Sequence, residues 1–193
     1  MPEAAESAVE AKEKDRTVAL IIAILALLLA LSETGAKKAQ HISMEKNIEA
    51  SDLFNFYQAK KIRSTIAETA SSTLEAQKSA LVDAKAQEAF ESRIGEFNAI
   101  VARLEKDPKK PEDSLDAIQE RANGAVEARE LANRRLEHYE LGSGLTQIAI
   151  VLASAAIITG ISALIWLSIA LGIVGALLVA FGFFAPATLT FFS

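Results

Sequence analysis

The sequence predicts an all-α protein with three transmembrane helices and an extramembrane antiparallel helical hairpin or coiled coil between the first and second. Its 193 residues are 51% hydrophobic and 23% charged, which is more apolar than is usual for a soluble domain. No charged side chain follows Glu140, and 36 of the 45 charged side chains lie between Lys37 and Glu140. The middle of the chain is rich in strong helix formers. Together these observations indicate a membrane protein with a polar, helical middle.

The first apolar segment predicts a membrane anchor. Residues 1–16 hold five acids and three bases and predict a solvated, charged tail. Residues 18–31 are all Ala, Val, Ile or Leu, and their neighbours extend the run to about 20 residues, enough to cross the hydrocarbon core. Transmembrane helix 1 is therefore placed at residues 17–36. A cleaved signal peptide is the alternative, because residues 30–32 resemble a small-residue cleavage site, but the long acidic segment before the run favours an uncleaved anchor.

The C-terminal apolar segment is too long for one membrane crossing and suits two crossings joined by a tight reversal. We place the reversal near Trp166, because indole prefers the membrane interface, and the helices at residues 145–164 and 168–187. Small residues recur every four positions in the second helix, and such a ridge lets helices approach closely in lipid. The ridge residues are Ser168, Gly172, Ala176 and Ala180. The alternative is that Gly and Ala are simply common in membrane helices.

The polar middle, residues 37–144, predicts a helical coiled-coil domain with a turn at 107–113, where two prolines interrupt the helix formers. Apolar side chains alternate at spacings of three and four within residues 90–104 and 115–139, as in an antiparallel hairpin. The segment before the turn is far longer than the segment after it, yet both must reach the same bilayer. The longer segment therefore either bends back on itself or leans over toward the membrane or a partner. The weak helix formers at residues 69–73 mark the expected break.

An aromatic and basic cluster is the most unusual feature of this polar middle. Phe56 and Tyr57 are adjacent, about 100° apart on a helix, so only one ring can point fully into a single seam. Two interpretations stay open: packing against Leu136 and Tyr139 of the returning helix, or a patch that binds a partner. The predicted partner or core contacts are Phe54, Phe56, Tyr57, Lys60 and Arg63.

The sequence predicts no catalytic, cofactor-binding or metal-ligating residue. The chain has no cysteine, and its two histidines, His41 and His138, have no convincing carboxylate set beside them. Acids alternate with bases at helical spacing, as in solvated coiled-coil flanks, and no phosphate-binding loop or nucleophile motif occurs. A net charge of −5 without a basic block argues against nucleic acid as a partner. We therefore expect a protein that is not an enzyme and needs no cofactor.

Two segments resemble a known family. Residues 50–63 read ASDLFNFYQAKKIR, and His138-Tyr139 is followed at residues 147–154 by QIAIVLAS. Both resemble domain-of-unknown-function family 4337, a group of uncharacterised bacterial membrane proteins, and the order of anchor, helical middle and paired C-terminal helices extends the resemblance over nearly the whole chain. Members commonly carry basic residues and a Trp at the last turn, whereas here Trp166 stands without the basic residues. The family has no assigned activity, so the resemblance implies architecture alone.

The expected function is a membrane-anchored scaffold or accessory subunit. Its partners would be the lipid bilayer and either further copies of the chain or a larger membrane protein complex. The alternative is a subunit of a small oligomeric channel or transporter. That alternative requires a polar path through the bilayer, for which the spans offer only six polar side chains: Thr146, Gln147, Ser154, Thr159, Ser162 and Ser168.

The distribution of bases predicts the sidedness of the chain. The rule that bases stay in the cytoplasm applies to short loops, so the polar middle of about 110 residues is discounted. The N-terminal tail has three bases and the C-terminal tail has none. We therefore expect a multi-pass protein of the bacterial inner (plasma) membrane, with a cytoplasmic N-terminus and a periplasmic coiled-coil domain.

Overall fold

The computed structural model of this chain describes the backbone of residues 2–186 and the side chains of residues 16–186. The described part is helical apart from its turns and contains no strand, which confirms that the chain is all-α. Its elements are α1 (Pro2–Lys78), α2 (Ala84–Glu105), a 3₁₀ turn (Pro111–Asp113), α3 (Leu115–Thr159) and α4 (Ser162–Phe184). The backbone of the predicted charged tail is helical from Pro2 onward, and the predicted turn at 107–113 lies in the connection between α2 and α3.

Three of these helices, α1, α3 and α4, contain stretches long and apolar enough to cross a membrane. They correspond to the three apolar segments of the sequence. Length and composition alone therefore make the described part of the chain compatible with a membrane protein.

The reversal between the last two helices lies at Gly160 and Ile161, so the prediction of a turn beside Trp166 is wrong. Gly160 has φ +71°, a left-handed conformation that glycine adopts without the steric penalty of a side chain, and its N–H donates to the carbonyl of Ala156 at 2.9 Å. This is how a glycine commonly ends a helix. Trp166 lies inside α4 and is exposed. The predicted end of the last span, at 187, lies outside the described residues.

The break in the long first helix is also displaced from its predicted position. α1 continues through residues 69–73, and the chain turns at residues 79–83 instead. The hydroxyls of Thr69 and Thr73 each donate to the carbonyl four residues earlier at 2.7 Å, which is how threonine is accommodated within a helix. After the turn, Asp83 caps α2 by accepting a hydrogen bond from a backbone N–H of its first turn.

The described chain forms two compact units. The polar unit comprises Glu45–Ala128, and the apolar unit comprises the described parts of residues 1–44 and 129–193. In the polar unit, α2 runs antiparallel to α1, because Lys78 pairs with Glu91 at 2.9 Å and Ser71 donates to Asn98 at 2.8 Å.

The core of the polar unit joins α1 to the first turns of α3. Leu53, Ile118 and Ala122 are buried together, and the ammonium of Lys60 donates to the carbonyl of Asp113. Residue numbers again fall on one helix as they rise on the other, so α3 is antiparallel to α1. Each of the two later helices therefore has α1 as a packing partner.

This arrangement resolves the unequal lengths seen in the sequence. Within the polar unit α1 has 34 residues, α2 has 22 and α3 contributes 14. At 1.5 Å per residue, α2 and the start of α3 in series match the length of α1. The segment before the turn at 107–113 therefore bends back on itself, which was one of the two expected arrangements.

Candidate functional site

The contact between α3 and α4 is built on glycines. A Cβ atom on Gly175 would lie 2.8 Å from Oγ1 of Thr146 and 3.0 Å from the carbonyl oxygen of Gly142. A Cβ atom on Gly182 would lie 2.8 Å from Cβ of His138. These distances leave no room for a side chain at either glycine. The two backbones therefore approach as closely as in small-residue contacts between membrane helices.

The structure divides the predicted ridge on α4 between two neighbours. Ser168 is fully buried and its hydroxyl donates to the carbonyl of Ala149 in α3 at 2.7 Å. Gly172 instead faces α1, where a Cβ atom would lie 2.5 Å from Cδ2 of Leu25. Both residues lie at close helix contacts, but with different helices, and the ridge does not form one face.

The remaining ridge residues, Ala176 and Ala180, line a cavity. Sequence reasoning missed Gly175 and Gly182, two residues at which α4 approaches α3 closely. Their spacing of seven residues places them on one face of a helix and could have identified them. The ridge predicted from the sequence has a spacing of four.

Tyr139 lies where α1, α3 and α4 meet. The hydroxyl of the fully buried Ser32 in α1 donates to the carbonyl of Tyr139 at 2.7 Å. A Cβ atom on Gly35 would lie 3.0 Å from two ring atoms of Tyr139, and one on Gly182 would lie 3.4 Å from the same ring. Tyr139 is itself buried. These contacts set the register of α1 against α3.

His138 is fully buried beside this junction. Its Nδ1 lies 2.7 Å from the carbonyl of Arg134, one turn earlier in α3. A carbonyl can only accept, so Nδ1 carries the proton in this contact. Among the described residues, no group of three His, Asp or Glu side chains is placed to hold a metal ion.

A cavity of about 550 Å³ lies between α1, α3 and α4 in the apolar unit. Its walls are mainly apolar, and Lys38 and Arg135 are the charged side chains that line it. We call it the basic groove and define it by six of its lining residues: Leu31, Lys38, Arg135, Ala176, Ala180 and Phe183. The groove therefore combines two positive charges with an apolar surface.

Neither cation of the basic groove has an acidic partner in the described part of the chain. None of the ion pairs formed there includes Lys38 or Arg135. The Nε atom of Arg135 is buried and has no hydrogen-bond partner among the described residues. A buried guanidinium nitrogen without a partner is costly, and no acidic side chain among the described residues offsets that cost.

The predicted cluster in the polar unit separates into internal and exposed residues. Tyr57 packs against the core of Leu53, Ile118 and Ala122. The expected packing of this cluster against Leu136 and Tyr139 is therefore wrong for Tyr57. α2 packs along the later part of α1, so the part of α1 around Tyr57 contacts the first turns of α3. Phe54 and Phe56 are 37% and 45% exposed.

The basic members of this cluster have different environments. Lys60 is buried, donates to the carbonyl of Asp113 and lies 5.8 Å from the ring centre of Phe56. Arg63 lines a smaller cavity of about 380 Å³. Elsewhere on the polar unit, the hydrogen bond from Lys46 to Glu49 at 2.6 Å raises the pKa of Lys46. That pair is solvated, so it adds little to stability.

The fold of the described residues defines a class of protein, an all-helical one with three helices long and apolar enough to cross a membrane. The chain belongs to the family described as Domain of unknown function (DUF4337), whose model matches residues 14–185. This match confirms the family resemblance of the sequence. No curated protein matches the chain, and no solved structure does.

Proposed function

We propose that this protein is a non-catalytic, membrane-anchored scaffold or accessory subunit of a larger membrane protein assembly. In this proposal the apolar unit is the anchor and the polar unit binds a partner helix. The observation that carries it is a set of exposed isoleucines on one face of α1 in the polar unit, which we call the stripe. Ile62 and Ile66 are one turn apart, and Ile48 lies further along the same face, beyond the polar Asp52 and Asn55. Ile48, Ile62 and Ile66 are 60%, 59% and 63% exposed, and they lie within about 40° of one another around the helix axis.

The buried face of α1 in the polar unit has the opposite composition. Its residues recur at spacings of three and four, which supports the coiled-coil prediction, and most of them are small or polar: Ala50, Leu53, Tyr57, Lys60, Ser64, Ala67 and Ser71. The large isoleucines lie on the other face. Burying an isoleucine contributes about 1.5–3 kcal/mol. Burial of the stripe against a partner would therefore contribute more free energy per residue than burial of the small residues on the opposite face.

The outward face of α4 supports anchoring in a bilayer. Ile173, Leu177 and Phe181 are exposed, whereas Gly175 and Gly182 face α3. Large apolar side chains outside and small residues inside are typical of a helix that contacts lipid. We place the three crossings in α1, α3 and α4, and we retain the proposed cytoplasmic N-terminus and periplasmic polar unit of an inner-membrane protein.

The alternative, a channel or transporter subunit, lacks comparable support. The hydroxyls of Thr146, Ser154 and Thr159 donate to carbonyls one turn earlier at 2.8 Å. Ser168 likewise donates to a carbonyl, that of Ala149. Because these hydroxyl protons are engaged by the backbone, a single chain offers few free donors to a permeating solute.

The test is photocrosslinking in native membranes. A photoreactive residue replaces Ile62 in one variant and Glu68 in a matched control, which is exposed on the same helix but well away from the stripe. We expect Ile62 to form an adduct of one discrete mass, twice that of the chain for a second copy or a different value for another subunit. Equal adducts at both positions, or none at Ile62, would contradict the proposal.

A further inference from the structure

The basic groove has the two-part character of a site for an amphiphile. Lys38 and Arg135 supply positive charge, and the buried Nε atom of Arg135 has no partner among the described residues. Leu31, Ala176 and Ala180 supply apolar wall. The acids nearest in sequence to the two cations, at positions 33, 137 and 140, do not line the groove.

The position of the groove along α4 indicates which amphiphile fits. Gly182 lies against His138 and Tyr139, so Arg135, one turn before Tyr139, is level with the end of α4 at Phe184. The 23 residues of α4 span about 35 Å, and the hydrocarbon core of a bilayer is about 30 Å thick. In a membrane-anchored chain the cations would therefore lie at headgroup level, and the apolar wall would extend toward the bilayer core.

We propose that the basic groove binds one anionic phospholipid. Lys38 and Arg135 hold its phosphate, and Leu31, Ala176 and Ala180 contact the start of an acyl chain. A guanidinium can engage a phosphate through two parallel hydrogen bonds, and the ammonium adds a second positive charge. Basic pockets between membrane helices bind acidic headgroups for this reason, and about 550 Å³ is a normal size for a ligand site.

The experiment uses the full-length protein in detergent, titrated with phosphatidylglycerol or with neutral phosphatidylcholine, and counts bound lipids by native mass spectrometry. We expect one tight phosphatidylglycerol and weaker phosphatidylcholine. In the K38Q/R135Q variant we expect an affinity about thirty-fold lower, since each base near a headgroup contributes about 1 kcal/mol and thirty-fold corresponds to about 2 kcal/mol. The K37Q/R134Q variant removes the same charge from adjacent positions that do not line the groove, and it should bind normally.

A third variant separates a lipid site from a phosphate site. Ala180→Phe fills the apolar wall and keeps both cations, so it should weaken phosphatidylglycerol binding. Millimolar inorganic phosphate should not displace the lipid. Displacement by phosphate, normal binding by Ala180→Phe, equal losses in both charge variants, or equal binding of the two lipids would each overturn the proposal.

This proposal rests on the proposed membrane anchoring, so a separate experiment must distinguish a failure of the lipid site from a failure of the anchoring. Flotation of the wild-type protein with phosphatidylcholine liposomes tests anchoring without an acidic lipid. A protein that floats but does not select phosphatidylglycerol would refute the lipid site alone. A protein that does not float would refute the anchoring.

Discussion

Substituting Gly175 by alanine tests a close contact between α3 and α4. The added methyl group would lie 2.8 Å from Oγ1 of Thr146 and 3.0 Å from the carbonyl oxygen of Gly142, whereas carbon atoms pack best at about 3.5–4.0 Å. The backbone oxygen cannot rotate away, so the helices must separate by several tenths of an ångström. Overpacking of this kind typically costs about 1–3 kcal/mol.

A matched substitution isolates that cost. Gly144 lies in α3 and a Cβ atom there would meet nothing within 4 Å. Both substitutions remove a helical glycine and gain about 1 kcal/mol of helix propensity. The difference in the free energy of unfolding between Gly175→Ala and Gly144→Ala should therefore be about 1–3 kcal/mol, with Gly175→Ala the less stable. It is measured by denaturant titration of the full-length protein in detergent, followed by helical circular dichroism.

A double substitution identifies the clashing atom. Thr146→Ala removes the hydroxyl that donates to the Gly142 carbonyl at 2.8 Å and should alone cost about 1 kcal/mol. Combined with Gly175→Ala it also removes the 2.8 Å clash, so the double variant should be more stable than the sum of the single effects predicts. Strict additivity would assign the clash to the Gly142 carbonyl instead of the Thr146 hydroxyl, and equal stability of the Gly175 and Gly144 variants would refute the close approach of these helices.

Three further changes have expected outcomes. Ser168→Ala should lower the free energy of unfolding by about 1 kcal/mol, because the hydroxyl donates to a buried carbonyl; the same titration checks it, and no change would mean that the hydrogen bond is not formed. Tyr57→Ala should cost about 2 kcal/mol and Phe54→Ala little, since only Tyr57 packs against the core of its unit; equal losses would contradict this division. Single cysteines at Ser7 and Ser114 of this cysteine-free chain test topology with an impermeant thiol reagent on intact spheroplasts, where position 114 should label and position 7 should not; the reverse pattern would invert the orientation.

The helical class and the three apolar segments could be predicted because they depend on local composition. The proline-containing turn at 107–113 could be predicted as well, but the positions of the other two breaks, at residues 79–83 and 160–161, could not. A glycine marks the reversal at Gly160, but Gly142, Gly144, Gly172 and Gly175 lie inside helices, so a glycine in an apolar segment does not by itself indicate a turn. Gly142, Gly172 and Gly175 serve close packing, whereas a Cβ atom on Gly144 would meet nothing within 4 Å. Only Gly160 is distinguished by a left-handed φ.

The basic groove could not be predicted because it depends on the register between helices. Lys38 and Arg135 are far apart in the sequence and share a cavity only because Ser32 and Gly35 of α1 lie against Tyr139 of α3. Periodicity identifies the face of a helix that is buried, but it does not identify the residue on another helix that the face meets. In the sequence, Lys38 and Arg135 are therefore indistinguishable from other charged residues near an apolar segment.

The two units use side-chain size in the same way. In the apolar unit Gly175 and Gly182 face α3, while larger side chains such as Leu177 face outward. In the polar unit Ser64 and Ala67 are buried on α1, while Ile62 faces outward. Small inward residues allow close backbones but bury little apolar area, so each unit gains less from its own packing than large side chains would supply. Under the proposed function both outward surfaces would be stabilised by surroundings less polar than water, lipid for the apolar unit and a partner helix for the polar unit, as a membrane-anchored scaffold requires.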